Sequence, residues 1–166
     1  TKPIAINFID FAKAFDSVHR DSLWKIMNLY GVPDKYINIF RALYENSSCC
    51  VKTPSGNTDF FTIESGVRQG CNLSAFFFVL VIDFVMRSIK GDEHGIDWCP
   101  VTGKLADLDF ANDLALIGDH FDTLQDLTSR LDDLASMMGL KINVGKTKTL
   151  ANNQPDQADD DIVVGD

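Results

Sequence analysis

A hairpin-like stretch late in the chain carries a carboxylate where apolar strands normally have none. In LADLDFANDLALIGD, residues 105–119, two apolar segments flank Asn112 and Asp113, whose residue types favour the tight turn of a two-residue hairpin loop. A charge held against apolar strands is costly unless a partner, often a metal ion, compensates it. At this point an ordinary surface hairpin with its Asn-Asp tip in water remains the alternative.

A second carboxylate, Asp10, ends the apolar segment IAINFID, which the alternation predicts to be a central strand. Functional groups are often presented at strand ends, although Asp10 could equally cap the helix that follows. Two carboxylates that converge at strand ends form an oxygen-rich site suited to Mg²⁺. Paired magnesium ions are the usual means of phosphoryl and nucleotidyl transfer, so this is the chemistry that the pair predicts.

The elements that must bring these carboxylates together follow from periodicity and from helix start and stop signals. Asp21 and Pro33 open two core helices, and Asp122 with Gln125 resembles a capping box. The helix over 73–89 is apolar nearly all round, which predicts burial against a sheet. The further predicted elements are strands over 49–53, 59–64 and 140–144 and a helix over 122–138.

The order of these elements predicts an α+β fold. With residues 17–72 set aside as an insertion, the order is strand, helix, two strands, helix, strand, which is the ferredoxin-like βαββαβ pattern. In that pattern the end of the first strand lies beside the tip of the central hairpin. Asp10 and Asp113 are therefore expected to converge.

Composition limits the classes of function. The chain has 166 residues, 45% of them hydrophobic, and four cysteines without a CxxC pair, which are best interpreted as reduced intracellular thiols. No apolar run approaches the roughly 20 residues of a spanning helix, so no membrane partner is expected. The net charge of -9 means that a basic groove for nucleic acid would have to lie elsewhere. We expect an intracellular protein, without a distinction between nucleus and cytoplasm.

Four blocks of the sequence, taken in order and spacing, resemble the reverse transcriptases of non-LTR (LINE-like) retrotransposons. They are FIDFAKAFDSVHRDSLW, GVRQGCNLSAFFFVLVIDFVMR, LDFANDLALI and GLKINVGKTK, and the resemblance covers residues 4–150. It implies a polymerase palm with part of the fingers over residues 1–151, followed by an acidic tail over 152–166 that we expect to be disordered. It also implies that fingers and thumb segments of a parent polyprotein are missing from this chain.

The resemblance implies an RNA-directed DNA polymerase whose partners are an RNA template, a DNA primer and deoxynucleoside triphosphates. Its cofactor would be Mg²⁺, with Mn²⁺ as an alternative ion. Asp10, Asp113 and the backbone oxygen of Phe11 would bind the metal, and Asn112 stands at a catalytic position. Lys146 matches a lysine near the departing pyrophosphate and is a candidate general acid, with a solvated surface lysine as the alternative.

The same resemblance assigns the nucleotide-binding residues. Phe15 matches the bulky residue that blocks a ribose 2′-hydroxyl, with plain core packing as the alternative reading. Arg68, Gln69 and Gly70 fall in the loop that lies against the incoming nucleotide and template, and Phe11 lies beside them.

The chain departs from the family pattern at a critical position. Asn112 replaces the aspartate that binds both metals in the family, and a neutral amide cannot hold two dications close together. Asp109 faces away from Phe110 on a strand of period two, so it offers no full rescue. Ala75 also replaces the usual proline at a helix start. We therefore expect impaired activity, with an inactive nucleic-acid-binding remnant or an acidic protein-interaction domain as the alternatives.

Overall fold

A computed structural model describes residues 3–89, 95–99, 103–152 and 162–165 of the chain. The helices are α1 Ala14–Ser17, α2 Arg20–Leu29, α3 Asp34–Tyr44, α4 Asn72–Ile89 and α5 Phe121–Met137. The strands are β1 Ile4–Asp10, β2 Ser48–Cys49, β3 Lys52–Thr53, β4 Gly56–Asn57, β5 Phe61–Thr62, β6 Ile96–Cys99, β7 Gly103–Leu105, β8 Asp107–Phe110, β9 Asp113–Gly118 and β10 Lys148–Asn152.

Four of the strands form the antiparallel sheet on which the site is built. Their spatial order is β10-β1-β9-β8, and each neighbouring pair is antiparallel. Together with α4 between β1 and β8 and α5 between β9 and β10, this is the ferredoxin-like βαββαβ arrangement. The predicted α+β fold class is therefore confirmed. The remaining described strands form three separate two-stranded ladders, β2 with β5, β3 with β4 and β6 with β7.

The core lies between one face of this sheet and the helices. Ile9 on β1 and Leu114 and Leu116 on β9 are buried together with Phe77 of α4 and Leu131 of α5. The stabilisation comes mainly from removing this apolar surface from water. The opposite face of the sheet is open, and Phe8, Leu108, Phe110 and Leu150 are about half exposed or more on it.

Helix α4, predicted to be apolar nearly all round and buried against a sheet, is buried on one face only. Its inner face supplies Phe77, Phe78 and Val81 to the core, whereas Phe76 and Val79 are half exposed. In length and composition α4 would suit a membrane span, and among the described residues it is the one helix that does. Its buried face and its packing on α2 and α5 account for its apolar composition without a membrane.

Several predicted boundaries are wrong. The last strand pairs with β1 over 148–152, whereas the predicted segment 140–144 contributes a single bridge from Ile142 to Phe11. The predicted capping box does not form, because α5 begins after His120 without a side-chain cap. Helix α2 likewise begins before Asp21, with His19 as its N-cap.

The predicted tail is structured in part. Asn152 belongs to β10, and Ile162 and Val164 pack against the core. The Val163 backbone N–H donates to Gln125 Oε1 at 2.8 Å, and Gln125 Nε2 donates to the Val163 carbonyl at 2.8 Å. The expectation of disorder is therefore wrong for residues 162–165, and residues 153–161 and 166 lie outside the described part of the chain.

Candidate active site

The two aspartates singled out in the sequence are direct neighbours. Asp10 at the end of β1 pairs in register with Asp113 at the start of β9. Residues directly opposite in an antiparallel pair project from the same face, with Cβ atoms roughly 5 Å apart. The predicted convergence of the two carboxylates is therefore present in the fold.

The hairpin turn falls one residue earlier than its sequence suggested. Phe110 pairs with Asp113, so Ala111 and Asn112 form the two-residue loop. Ala111 has a φ of 57°, a left-handed conformation that alanine rarely adopts and that a tight hairpin requires at this position. The prediction that Asn112 and Asp113 form the turn is wrong, because Asp113 already belongs to β9.

A cleft of about 380 Å³ at this end of the sheet collects residues from all four sequence blocks. Its lining residues are Asp10, Phe11, Lys13, Ala14, Phe15, Gln69, Gly70, Asn112 and Lys146. Asn112 lines this cleft, whereas the exposed Asp113 lies outside its lining. The Asn112 amide, and not the Asp113 carboxylate, therefore lies in the cleft wall.

Backbone hydrogen bonds connect the loop that contains Gln69 to α1 and the residue after it. The Val67 N–H donates to the Phe15 carbonyl at 2.7 Å, and the Gly66 N–H donates to the Val18 carbonyl at 2.8 Å. Gly66 has a φ of 79°, and a Cβ there would lie 2.5 Å from the Asp16 carbonyl oxygen. Only glycine allows the two backbone segments to come this close. Their close approach brings Gln69 and Phe15 to the same cleft.

The side chains of Phe15 and Gln69 are both held in place. The Phe15 ring stacks on Phe78 with centroids 4.8 Å apart, while Phe15 also lines the cleft. Gln69 Nε2 donates to Asp16 Oδ1 at 2.9 Å. Phe15 therefore combines core packing with a position at the cleft wall, so the two interpretations of this residue are compatible.

Lys146 lies on the Asp10 carboxylate. Its Nζ is 3.3 Å from Asp10 Oδ2, and Asn143 Nδ2 donates to the same oxygen at 3.3 Å. The Asn143 N–H also donates to the Asp10 carbonyl at 2.8 Å, which fixes the main chain of this segment against the end of β1. Lys146 therefore lines the cleft and pairs with Asp10, although its side chain is largely exposed, and its role as a general acid stays a prediction.

The oxygen atoms at the cleft are ligands of the type that a divalent cation prefers, but they carry few negative charges. Residues 10–12 pair with residues 141–143, because the Ala12 N–H donates to the Lys141 carbonyl and the Asn143 N–H donates to the Asp10 carbonyl. In such an antiparallel pair the carbonyl of the middle residue, Phe11, is directed away from residues 141–143 and towards the hairpin. With Asp10 in the lining and Asp113 beside the cleft, this carbonyl makes an all-oxygen set, which suits Mg²⁺. Among the described residues no three acidic, histidine or cysteine side chains cluster as a metal site.

The structure does not bring Arg68 to this cleft. Its guanidinium donates to the Leu43 carbonyl at 2.7 Å and lies 5.3 Å from the Tyr44 ring centroid. It lines a neighbouring cavity of about 560 Å³ that also contains Gln69. Gln69 thus borders both spaces, whereas Arg68 belongs only to the second.

Arg20 is the organising residue that the sequence analysis missed. Its guanidinium donates to the carbonyls of Gly66 and Ile63 at 2.9 Å and of Ser65 at 3.0 Å, with a longer contact to Tyr44. Burial lowers the pKa of Arg20 from its ordinary value, with the Arg68 charge acting in the same direction. An arginine at the first position of a helix carries no local signal of this role, because all its partners are distant in sequence.

Lys13 is a second lining residue that the analysis did not single out. It has a φ of 49° and adds a further positive charge to the cleft. A non-glycine residue in a left-handed conformation at a cleft is a recognisable feature of functional sites, but it is visible only in the backbone.

The family model for reverse transcriptase (RNA-dependent DNA polymerase) matches residues 1–158. Among curated proteins, the Pol polyprotein of the R2DM retrotransposable element of Drosophila melanogaster is 30% identical over 150 residues. That match covers 90% of this chain and 14% of the relative. The R2 Pol polyprotein of Nasonia vitripennis is 29% identical over 150 residues, with the same shares covered.

Solved structures with this fold include telomerases. Apo telomerase from Candida tropicalis superposes with a TM-score of 0.70 at 16% identity, covering 92% of this chain and 29% of that one. Telomerase from Candida albicans in complex with a TWJ fragment of telomeric RNA gives a TM-score of 0.65 at 15% identity, with 96% and 28% covered. At these identities the likeness concerns the fold alone.

Proposed function

Because this chain belongs to the reverse transcriptase family, in its non-LTR retrotransposon branch, we propose that it is the palm, with part of the fingers, of an RNA-directed DNA polymerase. The reaction would be template-directed addition of a deoxynucleotide to a primer 3′-hydroxyl inside the cell. The chain spans only 14% of the Drosophila relative, so the complete activity would belong to a longer protein.

The observation that carries this proposal is the single cleft that unites Asp10, Phe15, Gln69, Asn112 and Lys146. These residues come from four separated blocks of the sequence, and a joint role at one reaction centre accounts for their residue types in one cleft. A surface hairpin with an Asn-Asp tip in water would not place Asn112 in a cleft with Asp10.

Each residue would have a distinct task. Asp10, Asp113 and the Phe11 carbonyl would hold magnesium, which when bound activates the attacking hydroxyl and neutralises phosphate charge. Phe15 at the cleft wall would exclude a 2′-hydroxyl, so that deoxynucleotides are selected. Gln69 and Gly70 would lie along the nucleotide, and Lys146 would stand near the leaving pyrophosphate as a proton donor.

We further propose that this copy is impaired. The family's metal-bridging carboxylate is replaced by Asn112, which lines the cleft but carries no charge. At the effective dielectric constant typical of sites near a protein surface, loss of one charge roughly 4 Å from a cation costs on the order of several kcal/mol of metal binding and transition-state stabilisation. Asp113 already faces Asp10, so it supplies no additional charge for the lost one.

The decisive experiment replaces the matching segment of the Drosophila R2 polyprotein with this chain and measures magnesium-dependent primer extension. With Asn112 kept, we expect extension to be very slow or absent, and Asn112→Asp should recover it. Asn112→Ser is the matched control, because it also changes the side chain but restores no charge. Equal rates for Asn112 and Asp would show that the amide is no lesion, and failure of the Asp variant would contradict the polymerase assignment of this cleft.

A catalytically silent nucleic-acid-binding domain is the second candidate, favoured by the same uncharged Asn112. It predicts that the Asn112→Asp variant of the hybrid polyprotein binds an RNA–DNA duplex in a salt-dependent manner but incorporates no nucleotide.

A further inference from the structure

The feature that the proposed function does not explain is the state of Asp10 itself. A metal-binding carboxylate is expected to offer its oxygens to the cation, yet Asp10 Oδ2 already accepts from two side chains. Asn143 Nδ2 and Lys146 Nζ both lie 3.3 Å from this oxygen. The Asp10 side chain is 20% exposed and that of Lys146 is 68% exposed, so the pair is partly shielded from solvent on the aspartate side only.

The turn that carries Lys146 is built on Asn143. The Asn143 carbonyl accepts from the backbone N–H groups of Lys146 at 3.0 Å and Thr147 at 2.9 Å. The Thr147 hydroxyl donates to the same carbonyl at 3.0 Å. Because the Asn143 N–H is bonded to the Asp10 carbonyl, the turn is anchored directly to the end of β1. These backbone hydrogen bonds fix the position of Lys146 next to Asp10.

We propose that Lys146 is a built-in competitor of the divalent cation at Asp10, held there by the Asn143 turn. An ammonium on Asp10 Oδ2 and a metal ion on the same carboxylate carry like charges, which repel at such distances. Metal binding is therefore weakened while Lys146 rests on Asp10 and is strengthened when it leaves. The exposed lysine then has its charge available for an anionic group in the same cleft, such as the phosphates of a bound nucleotide.

This inference rests on the proposed function for the identity of the cation, but its test does not need polymerisation. It measures Mn²⁺ binding to this chain, with Asn112 kept, by electron paramagnetic resonance titration. Lys146→Met should bind Mn²⁺ about two- to fivefold more tightly than the unchanged chain, the range that corresponds to a partly exposed ion pair. Lys146→Arg, which keeps the charge, should bind as the unchanged chain does.

The matched control is Lys13→Met, which removes a positive charge from the same cleft. Among the described residues the ion pair with Asp10 is that of Lys146, so Lys13→Met should change the Mn²⁺ affinity clearly less. Asp10→Asn combined with Lys146→Met should abolish the gain. Thermal unfolding of each variant establishes that it is folded under the conditions of the titration.

Four outcomes would overturn the inference. The first three are equal Mn²⁺ affinities for Lys146→Met and the unchanged chain, an equal gain from Lys13→Met, and a gain that survives Asp10→Asn. Absence of Mn²⁺ binding in every variant would also overturn it, because removal of the competitor should expose a site. Failure of the proposed function would appear separately, as lack of primer extension by the Asn112→Asp hybrid polyprotein.

Discussion

At the scale of single residues, the site is governed by charge. Asp10 and Asp113 lie opposite one another across β1 and β9, and Lys146 neutralises one of them. Asn112 leaves this group with one negative charge fewer than its family pattern. An aspartate at 112 restores that charge in the cleft lining, which is why a single substitution is expected to change the rate so strongly.

Phe15 offers a second test at the residue scale. In the hybrid polyprotein with Asn112→Asp, Phe15→Val should relax discrimination against ribonucleotides, because the smaller side chain leaves room for a 2′-hydroxyl. Phe15→Leu is the control, since leucine keeps more of the bulk while also losing the stacking on Phe78. The measurement is the ratio of incorporation efficiencies for the deoxy and ribo forms. Equal discrimination by Val, Leu and Phe would assign Phe15 to packing alone.

At the scale of elements, one arginine holds a loop in place. Arg20, the first residue of α2, donates to the backbone carbonyls of Ile63, Ser65 and Gly66, and the loop also lies against the α1 turn. The fixed fork of the guanidinium can serve several acceptors together, which the ammonium of lysine cannot reproduce. The position of Gln69 in the cleft therefore depends on α2.

Arg20→Lys is expected to lower the free energy of unfolding by about 1–3 kcal/mol, because partly buried carbonyls lose their donors. Urea unfolding measures this change, and hydrogen exchange of residues 63–70 should show faster opening. Arg130→Lys is the control, since Arg130 forms an exposed i,i+4 pair with Asp126, a type of pair that contributes little. If Arg20→Lys lowers the free energy of unfolding no more than Arg130→Lys does, Arg20 does not hold this loop in place.

The beginning of α4 gives a prediction about pH. Cys71 precedes the helix, and hydrogen bonds from the Leu73 and Ser74 N–H groups lower the pKa of its thiol from the ordinary value. The thiolate is therefore present at lower pH in the folded chain than in the unfolded one. Alkylation of Cys71 by iodoacetamide, followed by mass spectrometry, should reach half its maximal rate at lower pH in buffer than in denaturant. The same midpoint in both would show that the helix start does not act on this thiol.

At the scale of the whole molecule, charge limits the partners. The net charge is -9, and Lys13 and Lys146 are the positive side chains that line the cleft among the described residues. Affinity for nucleic acid depends mainly on neutralising phosphates with Lys and Arg. The chain alone therefore lacks the charge expected of a complete template–primer groove.

We accordingly expect this chain alone to bind a template–primer duplex no more tightly than non-specific contacts, with a dissociation constant of roughly 10⁻⁶ M or weaker at physiological salt. Fluorescence anisotropy at several salt concentrations measures both the affinity and its salt dependence. An RNA–DNA duplex and a poly-anion without bases serve as probe and control. Nanomolar affinity for the duplex alone would mean that the groove is largely contained in this chain.

The sequence predicted the parts of the fold that depend on local residue types and their order. The strand at 4–10, the helices and the central hairpin follow from periodicity, and the βαββαβ order follows from their succession. The site residues came from the four family blocks, and the cleft contains most of them. Arg20 and Asn143 were missed because their roles depend on carbonyl and carboxylate groups far away in the chain.

What the sequence determined by itself is the first strand, the main helices and the central hairpin, together with an asparagine at position 112, where the resemblance implies an aspartate. Only the tertiary structure decided which face of β1 is inside. Asn7 is fully buried because Thr128 of α5 accepts its hydrogen bond at 3.0 Å, while the apolar Phe8 is 48% exposed. The structure likewise decided that β10 begins at Lys148 and that Lys146 rests on Asp10. A shift of one residue in strand register reverses every side chain, and distant partners rather than local composition select the register.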